Sequence, residues 1–135
     1  MPKDMKTDTP VQPTEEKLIE TDICVIGGGS GGLSVAAGAV QMGAGVVLFE
    51  RGRMGGDCLN YGCVPSKALL AAGHAAAAAR QAERFGISLP EPEIDFARVH
   101  AHVRDVIAGI EPHDSVERFE QLGVKVIQAT AAFTD

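Results

Sequence analysis

The stretch DICVIGGGSGG, Asp22 to Gly32, limits what this chain can fold into more than any other. Asp22–Ile26 is short, apolar and β-branched, and it breaks directly into glycine. Such a run is a buried strand of a parallel sheet feeding a tight turn. Gly31–Met42 then reads as a helix of small residues, and Gly43 ends it by supplying a left-handed cap. Gly45–Glu50, GVVLFE, is a second buried strand. Strand, glycine turn, helix and strand form a βαβ unit with a right-handed crossover.

The turn fits G-x-G-x-x-G at Gly27, Gly29 and Gly32, and each glycine has its own task. Gly27 makes the sharp exit from the strand. Gly29 lacks a Cβ, so a pyrophosphate can approach the backbone. Gly32, with small Ala36 after it, lets the helix sit close to the sheet. The helix start offers unpaired N–H groups and partial positive charge to phosphates. Glu50 ends the second strand about twenty residues on, where a carboxylate binds a ribose 2′-OH. A bare glycine turn without ligand shows the same spacing. The strand before it, the helix after it and the acid at Glu50 favour dinucleotide binding, and Glu50 disfavours a 2′-phosphate.

Further on, residues 51–63 read as an irregular loop and Pro65 to Arg84 as an alanine-rich helix. Asp95 can cap a helix with an apolar stripe at Phe96, Val99, Val103, Val106, Ile107 and Ile110. Pro112 interrupts. Asp114 and Glu117 fit a capping box for the next helix, which Gly123 stops before a third strand, VKVIQA. The layout is α/β with a mainly parallel sheet. Its three or four strands fall short of a doubly wound domain, so a Rossmann-like domain cut at its C-terminus is expected. Residues 1–19 are polar and proline-bearing and read as a disordered tail, leaving 20–135 for the domain.

Composition narrows the function. The net charge of −6 argues against a nucleic-acid partner, which needs clustered Lys and Arg. There is no apolar run of about 20 residues to span a membrane and no secretory leader at the N-terminus. A cytoplasmic location is expected, where a cysteine pair is more often catalytic or metal-binding than structural.

Such a pair stands in MGGDCLNYGCVPSKALL, Met54 to Leu70, which holds two of the three cysteines, Cys58 and Cys63. Zinc needs about four ligands, and His74, His100, His102 and His113 do not fall at ligand spacing beside the pair. A disulfide closing so short a loop adds little stability. Core filler does not explain thiols among Gly56, Asp57, Asn60 and Gly62. A redox dithiol remains. Regular helix would hold Cys58 and Cys63 too far apart for a disulfide, so the segment must bend, and Gly62 permits that. The nearby helix start, with Lys67 one turn after Cys63, would lower a thiol pKa.

GGDCLNYGCVPSKALL resembles the active-site motif of the class I pyridine nucleotide-disulfide oxidoreductases, G-G-x-C-x-x-x-x-G-C-x-P. That family includes dihydrolipoamide dehydrogenase, glutathione reductase and mercuric reductase. The PSKALL ending is more similar to the dihydrolipoamide dehydrogenase and mercuric reductase branches. The resemblance runs from about Asp22 to Phe133. It implies that Gly27, Gly28, Gly29, Ser30, Gly31 and Gly32 hold the pyrophosphate of FAD. Glu50 holds the adenosine ribose, and Arg51 beside it also belongs to the cofactor site. Gly55, Gly56 and Asp57 lie along the flavin side. Cys63 is the flavin-proximal, charge-transfer thiol and Cys58 the interchange thiol that attacks substrate. Lys67 lies near the flavin N5. Electrons pass from NAD(P)H to FAD, to Cys58–Cys63, to a small-molecule disulfide or a metal ion. The family is typically homodimeric. Asp57 stands where threonine is frequent, a carboxylate close to phosphates. The resemblance also implies that an NAD(P)H domain and a dimerisation domain with its His–Glu pair lie outside these residues. The chain alone is therefore expected to turn over no NAD(P)H, and a non-catalytic remnant is the alternative reading.

Other residues read more plainly. Cys24, mid-strand, is expected to be a small core hydrophobe. His74 is a surface or packing residue, and His100 and His102 cannot share a helix face.

Overall fold

A computed structural model describes residues 18–134, so most of the 1–19 tail lies outside the described residues. Three short strands, β1 (Ile23–Ile26), β2 (Val46–Phe49) and β3 (Val124–Ile127), form one parallel sheet in the order β1-β2-β3. Helix α1 (Ser30–Gln41) crosses from β1 to β2, and α5 (Val116–Leu122) leads into β3. Between β2 and α5 lie α2 (Gly56–Asn60), α3 (Cys63–Arg80) and α4 (Phe96–Ile110).

Side chains alternate across a strand, and the register Ile23–Val46–Val124 sets the faces. Val25, Val46, Leu48 and Val124 pack against Leu33, Ala36 and Ala39 of α1 and Phe119 of α5. Leu48 and Phe119 are almost fully buried, and burying a side chain of that size contributes about 1.5–3 kcal/mol. The other face carries Cys24, Ile26, Val47, Phe49, Lys125 and Ile127, and of these only Val47 is buried. Cys24 is exposed, not the core residue expected from its strand position. Burial in a parallel sheet depends on helices covering both faces. Here α1 and α5 pack on the same face, opposite Cys24.

The local expectations hold with specific corrections. Gly43 takes a positive φ of 87° just past α1, and Gly123 one of 101° at the end of α5. Asp95 caps α4 by accepting from the Arg98 N–H at 3.1 Å. The α4 stripe is only partly covered: Val99, Val103, Val106 and Ile107 are half-buried, while Phe96 is exposed. The α5 cap is Ser115, accepting from the Arg118 N–H at 3.2 Å, and not Asp114. The alanine-rich helix starts at Cys63 and ends at Arg80. A 3-10 turn, Ala82–Phe85, completes the expected span. Residues 51–63 are not wholly irregular, since α2 forms inside them. No helix among the described residues is long and apolar enough to cross a membrane.

Candidate functional site

The glycine turn lies between the C-terminal end of β1 and the start of α1. Gly27 has φ +107°, the left-handed region that favours glycine. Its N–H is tied to Phe49 O of β2 at 2.7 Å. A Cβ on Gly32 would fall 1.9 Å from Gly27 O, so this glycine sets how closely α1 approaches the turn. A Cβ on Gly29 would meet only Gly56 Cα at 3.8 Å, and one on Gly31 nothing within 4 Å. Both positions are open on their outer side. The first α1 bond runs from the Leu33 N–H to Gly29 O at 2.9 Å. The N–H groups just before it are the orphan donors of a helix start. Ser30, the first α1 residue, is exposed beside them. A diphosphate fits this bare backbone.

Glu50 links the turn to the next loop. Its Oε2 accepts from the Gly28 N–H and its Oε1 from the Gly52 N–H, each at 2.6 Å. Carboxylate oxygens accept more than one bond each, so capacity for ribose hydroxyls remains. Glu50 and Arg51 line a cleft of about 330 Å³ with Ile26, Gly27, Phe49 and Ala129–Ala131. Residues 129–131 line this cleft although no motif in the sequence marks them. Their position just after β3 is the signal, since ligands of such sheets bind beyond the carboxyl ends of the strands.

The cysteine loop rests on the turn. Gly55 pairs with Gly29 in an isolated parallel bridge, and its N–H donates to Gly28 O at 2.8 Å. A Cβ on Gly56 would stand 2.7 Å from Gly29 Cα. Two glycine backbones thus meet, and only glycines allow that approach. Gly55 and Gly56 have φ of +84° and +58°. Buried Asn60 fixes the loop by donating to Met54 O at 3.0 Å and Gly56 O at 2.8 Å. Arg53 and Glu111 make an ion pair at 3.4 Å with both side chains more than half exposed, worth about 0–1 kcal/mol.

Cys58 lies in α2 and Cys63 opens α3, with Gly62 between the two helices. Both thiols are free, Cys58 half-buried and Cys63 exposed. The chain bends at Gly62, which has φ −112° and ψ −104°, and Cys63 lies close enough to affect the protonation of Cys58. A Gly62 Cβ would lie 2.7 Å from Asp57 Oδ2, so the exposed Asp57 carboxylate sits over this bend. The expected lowering of a thiol pKa does not hold at Cys58. Its side-chain hydrogen bond with Cys63 raises it, then loss of solvent and the charge on Cys63, while a hydrogen bond from the Cys63 backbone and then nearby Lys67 only partly oppose them. Cys58 therefore keeps its proton to higher pH than an ordinary thiol. Replacing Cys63 with alanine removes the bond and the charge, so Cys58 should be alkylated severalfold faster by iodoacetamide at pH 8. Peptide-resolved mass spectrometry reads this, and an unchanged or slower rate would show that Cys63 is not what holds the proton.

Fold and site together define an α/β unit of Rossmann-like build, with a pair of thiols on a loop that rests directly on its glycine turn. The family model for pyridine nucleotide-disulphide oxidoreductases matches residues 21–134. A mercuric reductase of Streptomyces lividans is 38% identical over 115 residues, 84% of this chain and 24% of that protein. A dihydrolipoyl dehydrogenase of Geobacillus stearothermophilus is 42% identical over 97 residues, 69% of this chain and 21% of that protein. Dihydrolipoyl dehydrogenase 2 of Haloarcula marismortui is 40% identical over 116 residues, 85% and 24% respectively. The chain belongs to the pyridine nucleotide-disulphide oxidoreductase family. It spans roughly a quarter of the length of these curated relatives.

Proposed function

We propose that these residues are the FAD-binding and redox-dithiol segment of a flavoprotein disulfide oxidoreductase. The observation that carries the reading is the contact of Gly55 and Gly56 with Gly28 and Gly29, which sets the dithiol loop on the phosphate turn. Gly27–Gly32 hold the pyrophosphate, Glu50 the ribose and Arg51 the adenosine end. Gly55, Gly56 and Asp57 follow the cofactor toward the flavin, with Cys63 and Lys67 beside it. When bound, FAD supplies a two-electron carrier between NAD(P)H and the thiols.

The chain's own chemistry is thiol–disulfide exchange. The Cys58 thiolate attacks one sulfur of a substrate disulfide, forming a mixed disulfide and releasing one thiolate. The Cys63 thiolate then attacks the Cys58 sulfur, closing Cys58–Cys63 and releasing the second thiolate. The substrate disulfide is reduced to two thiols and the dithiol is oxidised. The names of the relatives suggest two substrate classes, a small dithiol or disulfide and the mercuric ion. In this reading the complete protein is a cytoplasmic homodimer.

The test is direct. Purified chain should take up one equivalent of added FAD and show its visible absorbance band. Reducing the dithiol should add long-wavelength absorbance, absent when Cys63 is serine. A chain that takes up no FAD overturns the cofactor reading, and a band that survives Cys63→Ser overturns the role given to that thiol.

A further inference from the structure

Arg118 stands where helix energetics gives it no reason to be. It occupies the third position of α5, where a capping box places Glu or Gln and where a cation opposes the helix dipole. Its backbone N–H is used by the Ser115 cap. Its guanidinium is held outside the helix, with Nη1 donating to His113 O at 2.5 Å and the carbon lying 5.7 Å from the Phe119 ring centre. It makes no ion pair among the described residues, although Asp114 lines the same cleft. That cleft, about 260 Å³, runs along α1 and is also lined by Ser30 and Ser34. Ser30 belongs to the glycine turn, and neither the turn nor the first turn of α1 contains a basic residue.

We propose that Arg118 supplies the positive charge that holds the diphosphate of the nucleotide bound at the glycine turn. The inference rests on the dinucleotide reading above. A diphosphate carries more charge than helix N–H groups alone offset, and this chain is acidic. A guanidinium anchored by a backbone carbonyl and an aromatic face keeps donors in a fixed direction at low entropic cost. Asp114 opposes the anion from the same cleft, so its neutralisation should favour binding.

Fluorescence or calorimetric titration of the full chain with FAD, ADP and riboflavin tests this. Arg118→Gln should weaken FAD and ADP about tenfold, as loss of a charge-assisted hydrogen bond does. It should leave riboflavin, which has no phosphate, unchanged and should lower the salt dependence of ADP binding. Arg118→Lys should restore part of the loss, and Asp114→Asn should tighten ADP binding. Equal FAD and ADP affinities for wild type and Arg118→Gln would overturn the proposal and leave the FAD reading standing. Equal weakening of riboflavin would show a structural role only and also overturn it. If wild type binds none of the three, the dinucleotide reading falls and takes this inference with it.

Discussion

Replacing Gly32 with alanine is expected to cost the fold a large share of its stability. The new Cβ would sit 1.9 Å from Gly27 O and 3.1 Å from Val25 Cγ1. Overpacking of a core typically costs about 1–3 kcal/mol, occasionally more. Here the obstacle is a backbone carbonyl in a turn already pinned by the Gly27 N–H bond to Phe49 O, so it cannot rotate aside. The strain falls where α1 meets β1, in a core with one covered sheet face. A loss of at least about 3 kcal/mol is large against the usual total of about 5–15 kcal/mol. Gly31→Ala is the control. Its Cβ meets nothing within 4 Å, and alanine in a helix gains about 0.5–1 kcal/mol over glycine. Urea titration followed by circular dichroism should move the Gly32→Ala midpoint sharply down and leave Gly31→Ala level or higher. Coincident curves would mean that α1 does not need this close approach.

Gly56→Ala should separate nucleotide binding from folding. Its φ of +58° disfavours any side chain, and its Cβ would press on Gly29 Cα at 2.7 Å. Left-handed strain of about 1–2 kcal/mol and overpacking of about 1–3 kcal/mol fall on one contact, that between dithiol loop and phosphate turn. The loop can relieve both by lifting away, because the sheet core lies elsewhere. The helical signal should persist while FAD affinity drops on the order of a hundredfold. Gly29→Ala is expected to lose FAD by another route. Its Cβ fits the free chain, with Gly56 Cα at 3.8 Å, and would intrude only on the place proposed for the diphosphate. Gly56→Ala that binds FAD as wild type does would disconnect the two loops functionally.

The regular elements were largely legible because their signals are local. The apolar run into Gly27, the caps at Gly43, Asp95 and Gly123 and the break at Pro112 each act within a few residues. Helix α2 was missed because no periodicity marks five residues between glycines. Its start requires positive φ at Gly55 and Gly56, and the Asn60 side chain ties it to Met54 O and Gly56 O; both depend on the folded loop. The α5 cap was displaced by one residue because Asp114 and Ser115 are both capable caps, and the preceding 3-10 turn, Glu111–Asp114, decides between them.

By itself, the sequence determined the βαβ unit, its glycine turn, the acid that closes it and the paired thiols. All of these follow from residue types at fixed spacing along the chain. Only the tertiary structure decided which sheet face is covered, leaving Cys24 exposed. It also decided that Gly28–Gly29 and Gly55–Gly56 meet backbone to backbone, that residues 129–131 join Glu50 in one cleft, and that Arg118 shares a cleft with Ser30. These are contacts between segments distant in sequence. They depend on how α1 and α5 pack on the sheet and how the loops close over its carboxyl ends, and no local pattern of residues encodes that.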